Sequence, residues 1–91
     1  VSHNDRFQSV FICQNPGEGN RKHYHPDSDE FWYIVEGELE WWIEGKGVHK
    51  VKAGDVVCVK AKTPHQIKCV GDKPGIRLAI VKPDVEHIYV E

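Results

Sequence analysis

Short stretches rich in Val, Ile and aromatic residues recur along the chain, cut by Gly, Pro and Asp at intervals of about eight to twelve residues. This spacing predicts an all-β sandwich or barrel, and no long helical stripe competes with it. Strands are expected over residues 8–13, 21–25, 30–36, 38–44, 48–51, 56–59, 65–70, 76–81 and 87–90. The breaks carry turn chemistry, as in Asn15-Pro16-Gly17, Pro26-Asp27-Ser28-Asp29, Gly45-Lys46-Gly47, Ala53-Gly54-Asp55 and Lys73-Pro74-Gly75. Nearly every connection is short enough to join antiparallel neighbours. With no linker, repeat or low-complexity segment, residues 1–91 read as a single β domain.

Alternation assigns the faces of these strands. In the segment beginning at Glu30, one face carries Glu30, Trp32 and Ile34, and the other carries Phe31, Tyr33 and Val35. Both are apolar, so one is expected to line a barrel interior and the other to be covered. A second copy of the chain, in a homodimer, is the expected cover; the chain's own ends are the alternative.

Composition narrows the class. Ninety-one residues allow one domain and not two, and 40% hydrophobic against 29% charged residues is the balance of a folded chain rather than a disordered one. Twelve basic and 14 acidic residues leave a net charge of -2, without the basic excess that drives phosphate-backbone binding, so nucleic acid is not an expected partner. The longest apolar run, Phe31 to Val35, is far shorter than the roughly 20 residues of a membrane-spanning helix. The start, Val1-Ser2-His3-Asn4-Asp5-Arg6, lacks the apolar centre of a signal peptide. A cytoplasmic, non-membrane chain is the expectation, although a start without Met leaves an earlier processing event open. Three cysteines, Cys13, Cys58 and Cys69, form no CxxC pair, so reduced thiols are expected rather than a disulfide framework or a thiolate zinc site.

Six histidines in so short a chain raise metal chemistry. His23 and His25 share parity on a strand, which places both imidazoles on one face with Cα atoms roughly 6.5 Å apart. Glu30 opens the next strand after a four-residue turn, and His65, beside Pro64, opens a later one. Three imidazoles and a carboxylate would suit Fe(II), Mn(II), Ni(II), Cu(II) or Zn(II). Each residue also has a plainer reading: a strand histidine is commonly a surface or hydrogen-bonded residue, Glu30 a solvated carboxylate, His65 a turn cap.

The arrangement resembles the cupin family at two motifs. The first cupin motif runs glycine, five residues, His-x-His, three or four residues, glutamate, six residues, glycine; Gly17, His23-Tyr24-His25, Glu30 and Gly37 reproduce every spacing. The second begins at Gly54-Asp55 and ends at Thr63-Pro64-His65, with Lys60 and Lys62 standing where proline and glycine are usual and Cys69 where asparagine is usual. The resemblance implies a double-sheet jelly-roll barrel of antiparallel strands, with His23, His25, Glu30 and His65 as metal ligands. It also implies one divalent transition metal per chain, with iron favoured and manganese, nickel, copper or zinc open. The activity implied is that of a metal-dependent enzyme on a small molecule. An Fe(II)-dependent dioxygenase is favoured, followed by a metal-dependent isomerase, decarboxylase or lyase; a non-catalytic ligand-binding or sensing domain is the alternative of a different class.

Parity extends this interior to a pocket lined by Trp32, Ile34, Ile67 and Cys69, for which plain core is the competing reading. Trp41 and Trp42 face opposite ways, so at most one enters the cavity. Lys60 and Lys62 belong to a basic set that either solvates a strand edge or meets a carboxylate at the pocket mouth. His3, His49 and His87 match no ligand pattern.

Overall fold

The computed structural model describes residues 2–3, 8–82 and 87–89, which form strands and no helix. The strands are β1 (Ser2–His3), β2 (Gln8–Gln14), β3 (His23–Tyr24), β4 (Glu30–Glu36), β5 (Glu38–Ile43), β6 (Gly47–Lys52), β7 (Val56–Val59), β8 (His65–Val70), β9 (Gly75–Val81) and β10 (Ile88–Tyr89). The expected strand at 21–25 shortens to two residues, and β1 was not expected.

Two five-stranded antiparallel sheets face each other, one ordered β1-β2-β9-β4-β7 and the other β10-β3-β8-β5-β6. This is the jelly-roll barrel. The antiparallel pairing is as expected, but most strands consecutive in sequence lie in opposite sheets rather than side by side. Only β1–β2 and β5–β6 pair as sequence neighbours. The short connections are therefore mainly corners, where the chain leaves one sheet for the other.

Gly37 makes the tightest corner. It alone separates β4 from β5, with φ at +81°, and the register of β4 shifts between Ile34 and Glu36 as the strand approaches it. A Cβ on Gly37 would lie 2.5 Å from the Pro74 carbonyl oxygen, at the corner where β8 passes to β9. The two corners nest backbone against backbone, which only a residue without a side chain permits.

Inward positions of both sheets close the core: Trp32, Ile34, Leu39, Trp41, Ile67 and Cys69 are all nearly or fully buried. Burying each large side chain stabilises the fold by about 2 kcal/mol. The Trp32 and Trp41 rings meet edge to face at 5.0 Å. Trp42 points the opposite way, outside the barrel, under the Lys22 ammonium at 4.5 Å.

The two outer faces differ. That of β5, β6 and β8 carries Glu38, Glu40, Lys50 and Lys68, with a Glu38–Lys50 ion pair at 3.3 Å. That of β2, β9, β4 and β7 carries Phe11, Phe31, Tyr33, Val56 and Ile80, all substantially exposed, with Glu36 at the end of β4 as the charged residue among its described strand positions. The apolarity of the Phe31–Tyr33–Val35 face read from alternation is thus a property of a whole sheet.

Gly37→Ala and Gly45→Ala separate conformational strain from corner packing. Gly45 also has a positive φ, +82°, but a Cβ there would meet nothing within 4 Å. Gly45→Ala is expected to cost about 1 kcal/mol through strain alone. Gly37→Ala is expected to cost at least about twice that, because Pro74 must also move; urea unfolding of the two variants checks the order.

Candidate metal centre

The segment before β3 is fastened to β8 before any ligand appears. Gly17 donates to the Cys69 carbonyl at 3.0 Å, Cys69 donates to the Glu18 carbonyl at 2.8 Å, and Asn20 donates to the Ile67 carbonyl at 3.1 Å. The Asn20 side-chain oxygen also accepts from the Ile67 amide at 2.8 Å. These bonds carry the chain along β8 until His23 stands directly opposite His65 in register.

The loop after His25 and the loop before His65 are also tied together. Lys62 donates its amide to the His25 carbonyl at 2.7 Å, and the Asp29 carboxylate accepts from the Ala61 amide at 2.8 Å. Lys62 is the single non-glycine residue with positive φ among the described residues, at 68°. It keeps the left-handed conformation that a glycine would supply at this place, at a cost of about 1–2 kcal/mol. The lysine thus preserves the turn that sets His65.

Four side chains converge between the sheets at this end of the barrel. His23, His25, Glu30 and His65 are all buried. The His23 ring centroid lies 4.4 Å from that of His65 and 5.1 Å from that of His25, and His25 and His65 are 5.5 Å apart. His25 Nε2 is 2.6 Å from Glu30 Oε1. The donor atoms fall into two overlapping groups, each within 4.8 Å: His25, Glu30 and His65, and His23, His25 and His87. His87, which fits no ligand spacing, therefore stands at the site, with its ring centroid 4.7 Å from that of His25.

Backbone carbonyls set the ring orientations. His23 Nδ1 lies 2.9 Å from the Arg21 carbonyl oxygen, and His65 Nδ1 2.9 Å from that of Thr63. A carbonyl only accepts, so each Nδ1 carries the proton and each Nε2 presents a lone pair. His65 Nε2 is buried with no hydrogen-bond partner. A buried lone pair without a donor is what a cation would satisfy, so the residues fit a divalent metal. Burial also lowers the His23 pKa and pushes that of His65 down to about 4, with the neighbouring imidazoles adding to the effect and the carbonyl hydrogen bonds opposing it. Both rings are held neutral, the ligating form.

A cavity of about 420 Å³ opens beside the cluster, lined in part by His23, Glu30, Trp32, Ile67 and His87. Trp32 and Ile67 take the places expected of them. Ile34 and Cys69 do not line it. Both are fully buried at the opposite end of the barrel, where Ile34 bonds through its backbone to Asp55 and Gly54 and Cys69 Sγ is 3.6 Å from the Lys73 carbonyl. Parity put them on the inner face correctly but carries no information on depth along the barrel. Lys60 and Lys62 do not line the cavity either.

Among the lining residues that escaped the sequence reading are His87, Tyr89 and Arg77. The first two arrive from β10 and its approach, far in sequence from either motif. Arg77 sits at an inward position of β9, flanked by Gly75 and Ala79. Its parity with Ala79 and Val81 was available, but the strand is apolar on both faces and gave no preferred side.

Comparison with known proteins agrees with the fold. The family model described as "Cupin domain" matches residues 10–81. The polyketide synthase CurC of Streptomyces cyaneus is 32% identical over 81 residues, 84% of this chain and 52% of that protein. Quercetin 2,3-dioxygenase of Bacillus subtilis is 26% identical over 85 residues, 93% of this chain and 25% of that protein. The chain thus spans about half the length of the first relative and a quarter of the second. Among solved structures, an uncharacterized conserved protein with a double-stranded beta-helix domain from Klebsiella pneumoniae superposes with a TM-score of 0.89 at 26% identity, covering 100% of this chain and 80% of that one.

Because the buried histidines bind protons more weakly in the folded chain than in the unfolded one, the unfolded state holds more protons between the ordinary imidazole pKa of 6.5 and about 4. The chelator-treated protein is expected to lose stability as pH falls through that window. For His65 the loss is on the order of 3 kcal/mol. Thermal melts from pH 7 to pH 4 check this, and His65→Gln should flatten the slope.

Proposed function

The chain belongs to the cupin domain family, and on that premise we propose that it is a metal-dependent enzyme acting on a small organic molecule, with dioxygenase chemistry at iron as the favoured reaction. The observation that carries this reading is the cluster of His25, Glu30 and His65, with the His23 ring 4.4 Å from that of His65 and with the His65 Nε2 buried without a partner. These four residues would hold one divalent transition metal. Bound there, such a metal supplies Lewis acidity and, as iron, the one-electron steps that reaction with dioxygen requires.

The chain's own groups do the rest. The Arg21 and Thr63 carbonyls fix the tautomers and orientations of His23 and His65. Trp32, Ile12 and Ile67 give the cavity an apolar wall that excludes water from part of a bound molecule. The similarity to a quercetin dioxygenase supports oxygen chemistry, and a comparable similarity to an oxalate decarboxylase supports decarboxylation as the alternative.

The same reading includes a homodimer, in which a second copy covers the outer face of β2, β9, β4 and β7. A largely apolar face, charged only at Glu36 at the end of β4 among its described strand positions, opposes its own copy with little like-charge repulsion, unlike the charged outer face of the other sheet. Light scattering is expected to give twice the 10.4 kDa chain mass, and Phe31→Glu, at an exposed position, should return a folded monomer. A monomeric wild type ends the dimer reading.

For the metal, elemental analysis of untagged protein purified without chelator should find near one transition metal per chain. His65→Ala is expected to lower metal affinity by at least about tenfold while the far-ultraviolet spectrum persists. Iron-dependent oxygen uptake with an added flavonol or smaller phenol supports the dioxygenase reading. Carbon dioxide release from an acid without oxygen uptake would replace it with decarboxylation, and metal-dependent binding without turnover would replace it with a binding domain.

A further inference from the structure

Arg77 is a buried cation whose recognition capacity is not used up by the protein. It is 3% exposed, on the central strand β9 between Ile12 and Ile34 in register. Nη1 donates to the Gln14 side-chain oxygen at 2.6 Å. Nε has no hydrogen-bond acceptor, and no carboxylate stands within ion-pair distance among the described residues. The guanidinium instead lies 5.7 Å from the Trp41 ring centroid, and the Trp41 indole N–H is a second buried donor with no acceptor.

A guanidinium removed from water normally has an anion beside it, because the cost of burying a lone charge is several kcal/mol. Gln14 is neutral. Burial brings the Arg77 pKa down to about 10, with Glu30 acting from a distance to hold it up, so the group stays charged at neutral pH. Glu30 is itself the carboxylate assigned to the metal under the reading above. The planar fork of arginine matches a carboxylate in two-point contact. Arg77 also lines the same cavity as His23, Glu30 and Trp32, so an anion held there lies next to the histidine cluster.

We propose that Arg77 is the anion-recognition residue of this cavity and that the molecule it receives is a small organic carboxylate, whose acid group meets the guanidinium while its body lies against Trp32 and Ile12. The inward positions flanking Arg77 are Gly75, against which Leu39 and Cys69 pack, and the small Ala79. The location of the pocket rests on the proposed function, but the charge argument stands whether or not a metal is bound.

The test is calorimetric titration of the purified protein with benzoate and with benzamide, its uncharged counterpart of the same shape, alongside metal analysis. Benzoate is expected to bind at least about tenfold more tightly than benzamide. Arg77→Met should abolish that preference while leaving metal content unchanged. Gln14→Leu, which removes the neutral partner of Nη1, should keep it. Equal binding of the two probes by the wild type, or a preference that survives Arg77→Met, overturns the proposal and leaves Arg77 a brace between β2 and β9. Should Arg77→Met fail to fold, Arg77→Lys, which keeps the charge and loses the two-point fork, is expected to weaken the preference by at least about threefold, and an unchanged preference there overturns the proposal. A carboxylate preference in protein that binds no metal sinks the metal reading alone.

Discussion

A buried polar group must find a partner, and in this protein that requirement divides the barrel interior into two ends. At one end Leu39 and Cys69 pack against Gly75, and Ile34 lies beside them in register with Arg77. At the other, three imidazoles and a carboxylate point into the space between the sheets, and the Arg77 guanidinium reaches that cavity from the strand position beside Ile34. The first end supplies stability and the second is left with unfilled donor and acceptor capacity. The polar end persists because the apolar end, with the nested corners at Gly37 and Pro74, holds the two sheets at a fixed separation.

Precision at the polar end comes from backbone. His23 and His65 face each other because residues 17–20 are hydrogen-bonded along β8, and their rings are oriented by carbonyls two residues upstream in each case. The Lys62–His25 and Ala61–Asp29 bonds then lock the two loops that carry the histidines. Side-chain identity is free at many of these places. Lys62 illustrates it: what the site needs is a left-handed turn, and a lysine supplies one when the surrounding bonds hold it there.

The fold class was legible from period-two alternation, and His23, His25, Glu30 and His65 were legible as candidates from two motifs that resemble the cupin family, the first of them a local His-x-His followed by Glu30. What was not legible depends on which strands meet. Alternation put Ile34 and Cys69 inside, yet only the sheet order shows that they belong to the closed end. His87 and Tyr89 reach the cavity through pairing of β10 with β3, a contact between the chain's end and its first third. Arg77 lay hidden in a strand whose two faces are both apolar. The exposed sheet face, in turn, was visible as a pattern in one strand, and its full extent emerges from the register of four.

The sheet orders carry a kinetic consequence. Since β4 must pair with β9 and β7, and β8 with β3 and β5, few strand pairs can form by zipping a local hairpin. Loop closure must precede most of the stabilising contacts, which places folding among slow, non-local β topologies, in the millisecond-to-second range. The candidate ligand side chains of the two motifs are brought together only when these distant strands have docked. The unfolded chain therefore offers a cation no comparable chelate, and whatever the cluster binds acts as a latch on the finished barrel rather than a nucleus for its assembly.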